Sequence, residues 1–145
     1  MIGLLQRVSH ASVTINGGVV ASINKGLLVL IGVEKSDSEK KAKRLFDKLV
    51  SYRVFVDKHD KMNLSLKDVQ GGLLVVPQFT LPADTTKGLR PSFSDAASPE
   101  LGKELFEYFI NHARENYPTV ETGVFGADMQ VSLNNDGPVT FWLQV

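Results

Sequence analysis

The chain reads as an α+β protein, with mixed, mainly antiparallel β-sheets and two main helices. Three observations carry that reading. Apolar runs of strand length recur from Ile2 to Val145. Turn signals such as Asn16-Gly17-Gly18 separate some neighbouring runs, which implies antiparallel hairpins. Two further segments carry apolar residues at helical spacing, and a helical connection allows a parallel neighbour. The predicted order, β-β-β-α-β-β-α-β-β, is not that of a doubly wound fold.

Residues 2 to 15 alternate loosely and are rich in Val, Ile and Ser/Thr, as a first strand should be. Asn16-Gly17-Gly18 tolerates positive φ and turns the chain into a strand over Val19 to Ile23. Lys25-Gly26 turns it again. Leu27 to Val33 is then a continuous apolar run, the pattern of a strand buried on both faces. Ser36-Asp37-Ser38-Glu39 resembles a capping box with Ser36 as N-cap. Ala42, Leu45, Phe46 and Leu49 form the apolar stripe of the helix that follows. Lys40, Lys41, Lys43, Arg44 and Lys48 lie mostly off that stripe, as a solvated face does. Arg53 to Val56 reads as a short strand, Asp57 to Lys61 as a polar turn, and Met62 to Val69 as irregular.

Gly71-Gly72 opens a second apolar strand, Leu73 to Phe79. Pro82 to Asp95 holds too many Pro, Gly, Ser and Thr residues for a regular element. Ser98-Pro99 starts the second helix, with Ser98 as N-cap and proline at the first helical position. Leu101, Leu105, Tyr108, Phe109 and Ala113 form its buried stripe, and Pro118 ends it. Strands over Phe125 to Leu133 and Val139 to Val145 finish the chain, with Asn134-Asn135-Asp136-Gly137-Pro138 as the turn between them.

A length of 145 residues is that of one domain, taken as 1–145. The apolar fraction of 43% is ordinary for a globular protein, and no apolar stretch approaches the roughly 20 residues that span a bilayer. The N-terminus lacks a basic n-region and reads as a strand rather than a signal peptide. With no cysteine, disulfides, thiolate nucleophiles and thiolate metal sites are all excluded. A cytoplasmic location is therefore expected. Sixteen basic and sixteen acidic residues cancel, so composition offers no argument for nucleic acid.

Common catalytic signatures are absent: there is no GxSxG elbow, P-loop, HExxH or GxGxxG. His10, His59 and His112 lie far apart in sequence and read as surface or satisfied histidines, so no metal site is expected. Three positions break local rules. Pro77 interrupts an apolar strand and cannot donate to a ladder. Either the strand simply ends there, or N–H groups freed beside Gln78 and Thr80 form an oxyanion site. Gly137-Pro138 reads as a tight turn, and a functional reading requires a cis bond that sequence does not establish. Arg7 interrupts an apolar strand. It faces solvent, or it points inward and needs partners such as the carbonyls of a tight turn.

Segments spread along the whole chain resemble one family. They are MIGLLQRVSHASV, GLLVLIGVEK, KMNLSL, VVPQFTL, ADTTKGLRPSFS and ADMQVSLNNDGPVTFWLQV. The QFTL and GPVT elements, at their observed separation, are specific in combination. The chain resembles the bacterial D-aminoacyl-tRNA deacylases, also known as D-tyrosyl-tRNA(Tyr) deacylases. The resemblance implies a barrel-like arrangement of the sheets and a homodimer. It implies hydrolysis of the ester joining a D-amino acid to the 3′ acceptor end of tRNA, with glycine mischarged on tRNA(Ala) as a further substrate. No metal or organic cofactor is implied, and neither a membrane nor a DNA partner.

Carried onto this sequence, Gly137 and Pro138 form a cis peptide whose carbonyls enter the partner subunit's pocket and read the substrate α-amino group. Arg7 braces that turn and Met129 packs near it. Gln78, Phe79 and Thr80 form the catalytic element. One mechanism makes Thr80 the nucleophile, but no base is apparent to activate it. The favoured one is substrate-assisted, with main-chain N–H groups around Phe79 and Thr80 holding the oxyanion and the RNA 2′-hydroxyl helping to activate water. Pro77 stands where the family motif usually begins with Ser, which removes any role for a hydroxyl there. A related deacylase that removes L-alanine shares that proline but lacks the phenylalanine kept as Phe79. Gly102 stands where alanine is expected near the pocket wall, which loosens the size limit on substrates.

Overall fold

The computed structural model describes residues 1–145. In chain order its elements are β1 (Ile2–Ile15), β2 (Gly18–Ile23), β3 (Gly26–Gly32), α1 (Glu39–Ser51), β4 (Phe55–Val56), β5 (Met62–Leu64), α2 (Leu66–Val69), β6 (Gly72–Pro77), α3 (Pro99–Asn116), β7 (Val120–Thr122) and β8 (Gln130–Gln144). This is the expected mixed α+β architecture. Strand β1 is its spine. One edge pairs antiparallel with β3 along Ile2 to Val8 and with β2 along Ala11 to Ile15. The other edge pairs with β8 along nearly its whole length. β3, β6 and β7 run parallel, as the two helical connections allow. β2 returns against β6 and β7, so the sheet curls into a nearly closed barrel.

The apolar run of β3 is explained by burial on both faces. Leu27, Val29 and Ile31 join Leu73, Val75, Phe46, Leu49 and Phe109 in the core beneath α1 and α3. Leu28, with Leu74, Val76, Val8 and Val13, fills the inside of the curl. Each such side chain contributes about 1.5–3 kcal/mol by leaving water. Gly26 and Gly72 begin the two parallel strands at a crossing too close for side chains. A Cβ on Gly26 would lie 1.9 Å from the Gly72 carbonyl oxygen.

Several expectations need correction. α1 begins at Glu39 with Ser38, not Ser36, at its N-cap, and Ser38 makes no side-chain cap bond. The cause is tertiary. The buried Asp37 carboxylate accepts from the α-ammonium of Met1, from Glu34 N–H at 2.7 Å and from Lys41 at 3.0 Å, and so sets the turn ahead of the helix. Met62 to Val69, expected as irregular, is ordered as β5 and α2, which adds a four-residue helix to the two main ones. Ser65 and Asp68 cap α2 reciprocally in a box that composition concealed. The second apolar strand stops at Pro77 instead of Phe79.

The end of the chain differs most. The segment expected as a strand from Phe125 begins pairing only at Gln130, and the missed strand β7 lies before it. The two expected final strands are halves of one strand, β8. They do not pair with each other, because both halves find a partner on the long β1. Gln6 pairs with Thr140 and Val8 with Asn135, so residues 136–139 bulge out opposite Arg7 alone. The turn residues therefore build a projecting finger without reversing the chain.

Candidate active site

The parallel strands β3 and β6 end side by side, with Ile31 opposite Pro77. Pro77 has no N–H, and the last ladder bond runs from Gln78 N–H to the Ile31 carbonyl at 2.8 Å. Past it the chain turns, with Leu81 N–H bonding back to Gln78 and Ala83 N–H to Thr80. The N–H groups of Phe79 and Thr80 donate to no group of the chain. Two adjacent main-chain donors are thus left unpaired at a strand exit, where the chain turns away just past the last ladder bond at Gln78.

Beside them lies a cavity of about 630 Å³. Its walls come from the ends of β3 and β6, the segment 96–99, the first turns of α3 and the turn 125–129. The Ser98 hydroxyl caps α3 by accepting from Leu101 N–H at 3.3 Å, which fixes that wall. Most of the lining is apolar, and Asp128 is its one ionisable side chain. At the mouth the exposed rings of Phe79 and Phe93 meet at 5.5 Å.

Of the residues expected at the site, Gln78, Phe79 and Met129 line this cavity. Thr80 stands next to the wall, and its Oγ1 accepts from Gln78 Nε2 at 2.6 Å. No carboxylate, imidazole or amine bonds to that hydroxyl. Arg7, Gly137 and Pro138 form a second group away from the cavity. Arg7 is 9% exposed and points inward. Its Nε donates to the Asp136 carbonyl at 2.9 Å and its Nη1 to the Val54 carbonyl at 2.7 Å. Asn135 closes the base of the finger, accepting from Val139 N–H at 2.7 Å and donating to Thr140 at 2.8 Å. Gly137 has φ of +142°, and the Gly137–Pro138 bond is cis.

Met129 does not pack near that finger within one chain. About 20 Å of strand separates them, at roughly 3.3 Å per residue along β1 from Thr14 to Arg7. The Met129 sulfur instead accepts from Val124 N–H at 3.3 Å and holds the turn that walls the cavity.

The family model described as D-Tyr-tRNA(Tyr) deacylase matches residues 4–144. The chain belongs to that family. This deacylase is 61% identical to the D-aminoacyl-tRNA deacylase of Haemophilus influenzae (strain 86-028NP), over 100% of both chains. It is 59% identical to that of Janthinobacterium sp. (strain Marseille), over 100% of this chain and 97% of the relative. Among solved structures, one titled c-Myc DNA Unwinding Element Binding Protein superposes with a TM-score of 0.96 at 36% identity, covering 100% of this chain and 99% of that one. A probable eukaryotic D-amino acid tRNA deacylase shares the fold, with a TM-score of 0.83 at 17% identity, covering 99% and 98%.

Gly102 of this deacylase does lie in the cavity wall, where a Cβ would come within 3.4 Å of the Phe125 ring. Sequence reasoning missed Phe93, Ser98 and Asp128 as lining residues. Only Ser98 carried a signal, as a helix cap. Phe93 sits in a loop without periodicity, and Asp128 reaches the cavity only because the chain turns at 123–129 before joining β8.

Proposed function

We propose that this deacylase hydrolyses the ester linking a D-amino acid to the terminal adenosine of tRNA, a chiral proofreading step of translation in the cytosol, with residues 1–145 acting as one unit. The observation that carries the reading is the pair of unpaired N–H groups, at Phe79 and Thr80, beside an apolar cavity. Donors fixed in advance and aimed at a developing oxyanion stabilise it without reorganisation, and one such donor is worth about 2.7–4 kcal/mol. Water adds to the ester carbonyl and the bond to the ribose 3′-oxygen breaks. The RNA 2′-hydroxyl relays the water proton to that oxygen, and free amino acid and tRNA result. Thr80 is not the nucleophile in this scheme, because its hydroxyl has no base to take its proton. Gln78 and Phe79 shape the pocket.

The working unit is a homodimer in which Gly137 and Pro138 of each subunit enter the other's cavity and meet Met129 there. The finger's distance from its own cavity supports this. Its carbonyls hold the α-amino group that every amino acid shares, and an L side chain is rejected by clash. Glycine has no side chain to reject, so glycyl-tRNA(Ala) passes the same gate.

The deciding experiment is hydrolysis of D-tyrosyl-tRNA and L-tyrosyl-tRNA, side by side, by purified protein. Loss of the D ester alone is expected. Cleavage of L-alanyl-tRNA instead would assign the chain to the L-specific relative. Steep salt-dependent binding of nucleic acid without turnover would favour a binding module.

A further inference from the structure

We propose that Lys87 and Arg90 grip phosphates of the single-stranded acceptor end as it enters the cavity. The inference rests on the deacylase reading and names the groups that hold the substrate outside the pocket. A polyanionic substrate meets here a chain of zero formal charge and a pocket whose one ionisable lining group is an acid. Affinity for the phosphates has to come from local cations near the mouth.

The loop between Asp84 and Ser92 supplies them. It is pinched at its base by reciprocal main-chain bonds between those residues, of 2.8 and 2.9 Å. The Asp84 carboxylate accepts from the N–H and hydroxyl of Thr86, at 2.9 and 2.7 Å. These bonds hold its pKa below the usual carboxylate range and keep it occupied inside the loop. Gly88, at φ of +70°, turns the tip. Lys87 and Arg90 flank that turn, and neither makes an ion pair or a side-chain hydrogen bond with the chain.

Lys35, whose ammonium reaches the next stretch of this segment, is already paired with Asp95 at 3.0 Å. Leu89, between the two cations, is 104% exposed, so the tip does not fold back onto the protein. Arg90 stands three residues before Phe93 of the cavity mouth, a span of at most about 10 Å. A guanidinium there can fork onto a phosphate just outside the pocket. The denser run of cations on α1 is less suited. Lys41 is paired with Asp37, Lys43 lies over the Tyr108 ring, and none of that helix lines the cavity.

The test compares the unaltered protein with a Lys87→Ala, Arg90→Ala double variant and a charge-keeping Lys87→Arg, Arg90→Lys variant. Three quantities are read: binding of uncharged tRNA across a salt series, and kcat/KM on D-tyrosyl-tRNA and on D-tyrosyl-adenosine. The alanine variant is expected to lose at least about tenfold on D-tyrosyl-tRNA, through KM, and to stay within about twofold on D-tyrosyl-adenosine. Its slope of log affinity against log salt should be shallower by about 1.4, two single-strand phosphates at about 0.7 each. The charge-keeping variant should retain the slope. Unchanged tRNA affinity and slope would overturn the proposal. So would equal loss on both esters, which would make the loop part of the pocket. If the unaltered protein cleaves neither ester, the deacylase reading fails, and the salt slope with uncharged tRNA still decides for or against Lys87 and Arg90.

Discussion

The Arg7 side chain donates to the main-chain carbonyl of Asp136 at 2.9 Å, tying strand β1 to the base of the Gly137–Pro138 finger 129 residues later in the chain. A second bond from the same guanidinium, to the Val54 carbonyl, anchors it on the segment before β4. One buried planar cation thus satisfies two carbonyls that no strand pairs. Replacing Arg7 with Ala leaves both without it, at about 1–3 kcal/mol each where they stay dry. Arg7→Lys keeps the charge but not the fork, and a single ammonium does not span both acceptors. Both variants are expected to melt lower, alanine more so, and to discriminate less between D- and L-tyrosyl-tRNA. An unchanged chiral ratio in a destabilised Arg7→Ala protein would confine Arg7 to a structural role.

Pro138 is exposed at the finger's tip and belongs to neither core cluster. Pro138→Ala should therefore shift the melting temperature little and the chiral ratio much. Equal losses of D- and L-ester hydrolysis in a well-folded protein would contradict the cross-subunit role of the finger.

Thr80 bonds through its hydroxyl only to Gln78, while its N–H remains unpaired. Thr80→Ala keeps the N–H and removes the hydroxyl. Its kcat on D-tyrosyl-tRNA is expected within about tenfold of the unaltered protein, since one neutral hydrogen bond is worth about 0.5–1.5 kcal/mol. Complete inactivation with unchanged thermal stability would restore the nucleophile mechanism.

Gly102 lies in α3 and in the cavity wall at once. Alanine there improves helix propensity by up to about 1 kcal/mol, while its methyl comes within 3.4 Å of the Phe125 ring. Gly102→Ala should hold or raise stability and narrow the cavity, raising KM for bulky D-aminoacyl esters more than for D-alanyl ones. Steady-state kinetics on D-tryptophanyl- and D-alanyl-tRNA measure the ratio, and an unchanged ratio would show that the substrate side chain does not reach this wall.

The Tyr117 hydroxyl is buried and donates towards the carbonyls of Gly71, at 2.7 Å, and Leu66, at 3.1 Å. Burial raises its pKa above the ordinary tyrosine value by disfavouring the phenolate. A raised folded-state pKa gives a contribution that is complete below the unfolded value, about 10, and is lost as pH rises through the folded one. Urea unfolding followed from pH 8 to 11 should show stability falling above about pH 10. Tyr117→Phe should cost about 1–2 kcal/mol at neutral pH and flatten part of that fall. An identical alkaline profile in the two proteins would point to other groups.

The sequence alone determined the features that follow from local rules. The β1–β2 hairpin followed from Asn16-Gly17-Gly18, the double burial of β3 from its unbroken apolar run, and the start of α3 from Ser98-Pro99. In each case a residue's own backbone preference and its neighbours' polarity suffice. Elsewhere distant partners decided. The start of α1 moved from the expected Ser36 cap to Ser38, because the Asp37 carboxylate between them is held by the buried α-ammonium of Met1. The Asn134 to Pro138 turn became a bulge because β1 is long enough to pair both flanking segments, and a shared partner outcompetes a local hairpin. Asp128, Phe93 and Met129 met at one cavity only through the parallel pairing of β3 with β6 and the turn before β8. Arg7's direction was open in the sequence for the same reason: whether an inward guanidinium is tolerable depends on which carbonyls, 47 and 129 residues away, the fold brings within 3 Å.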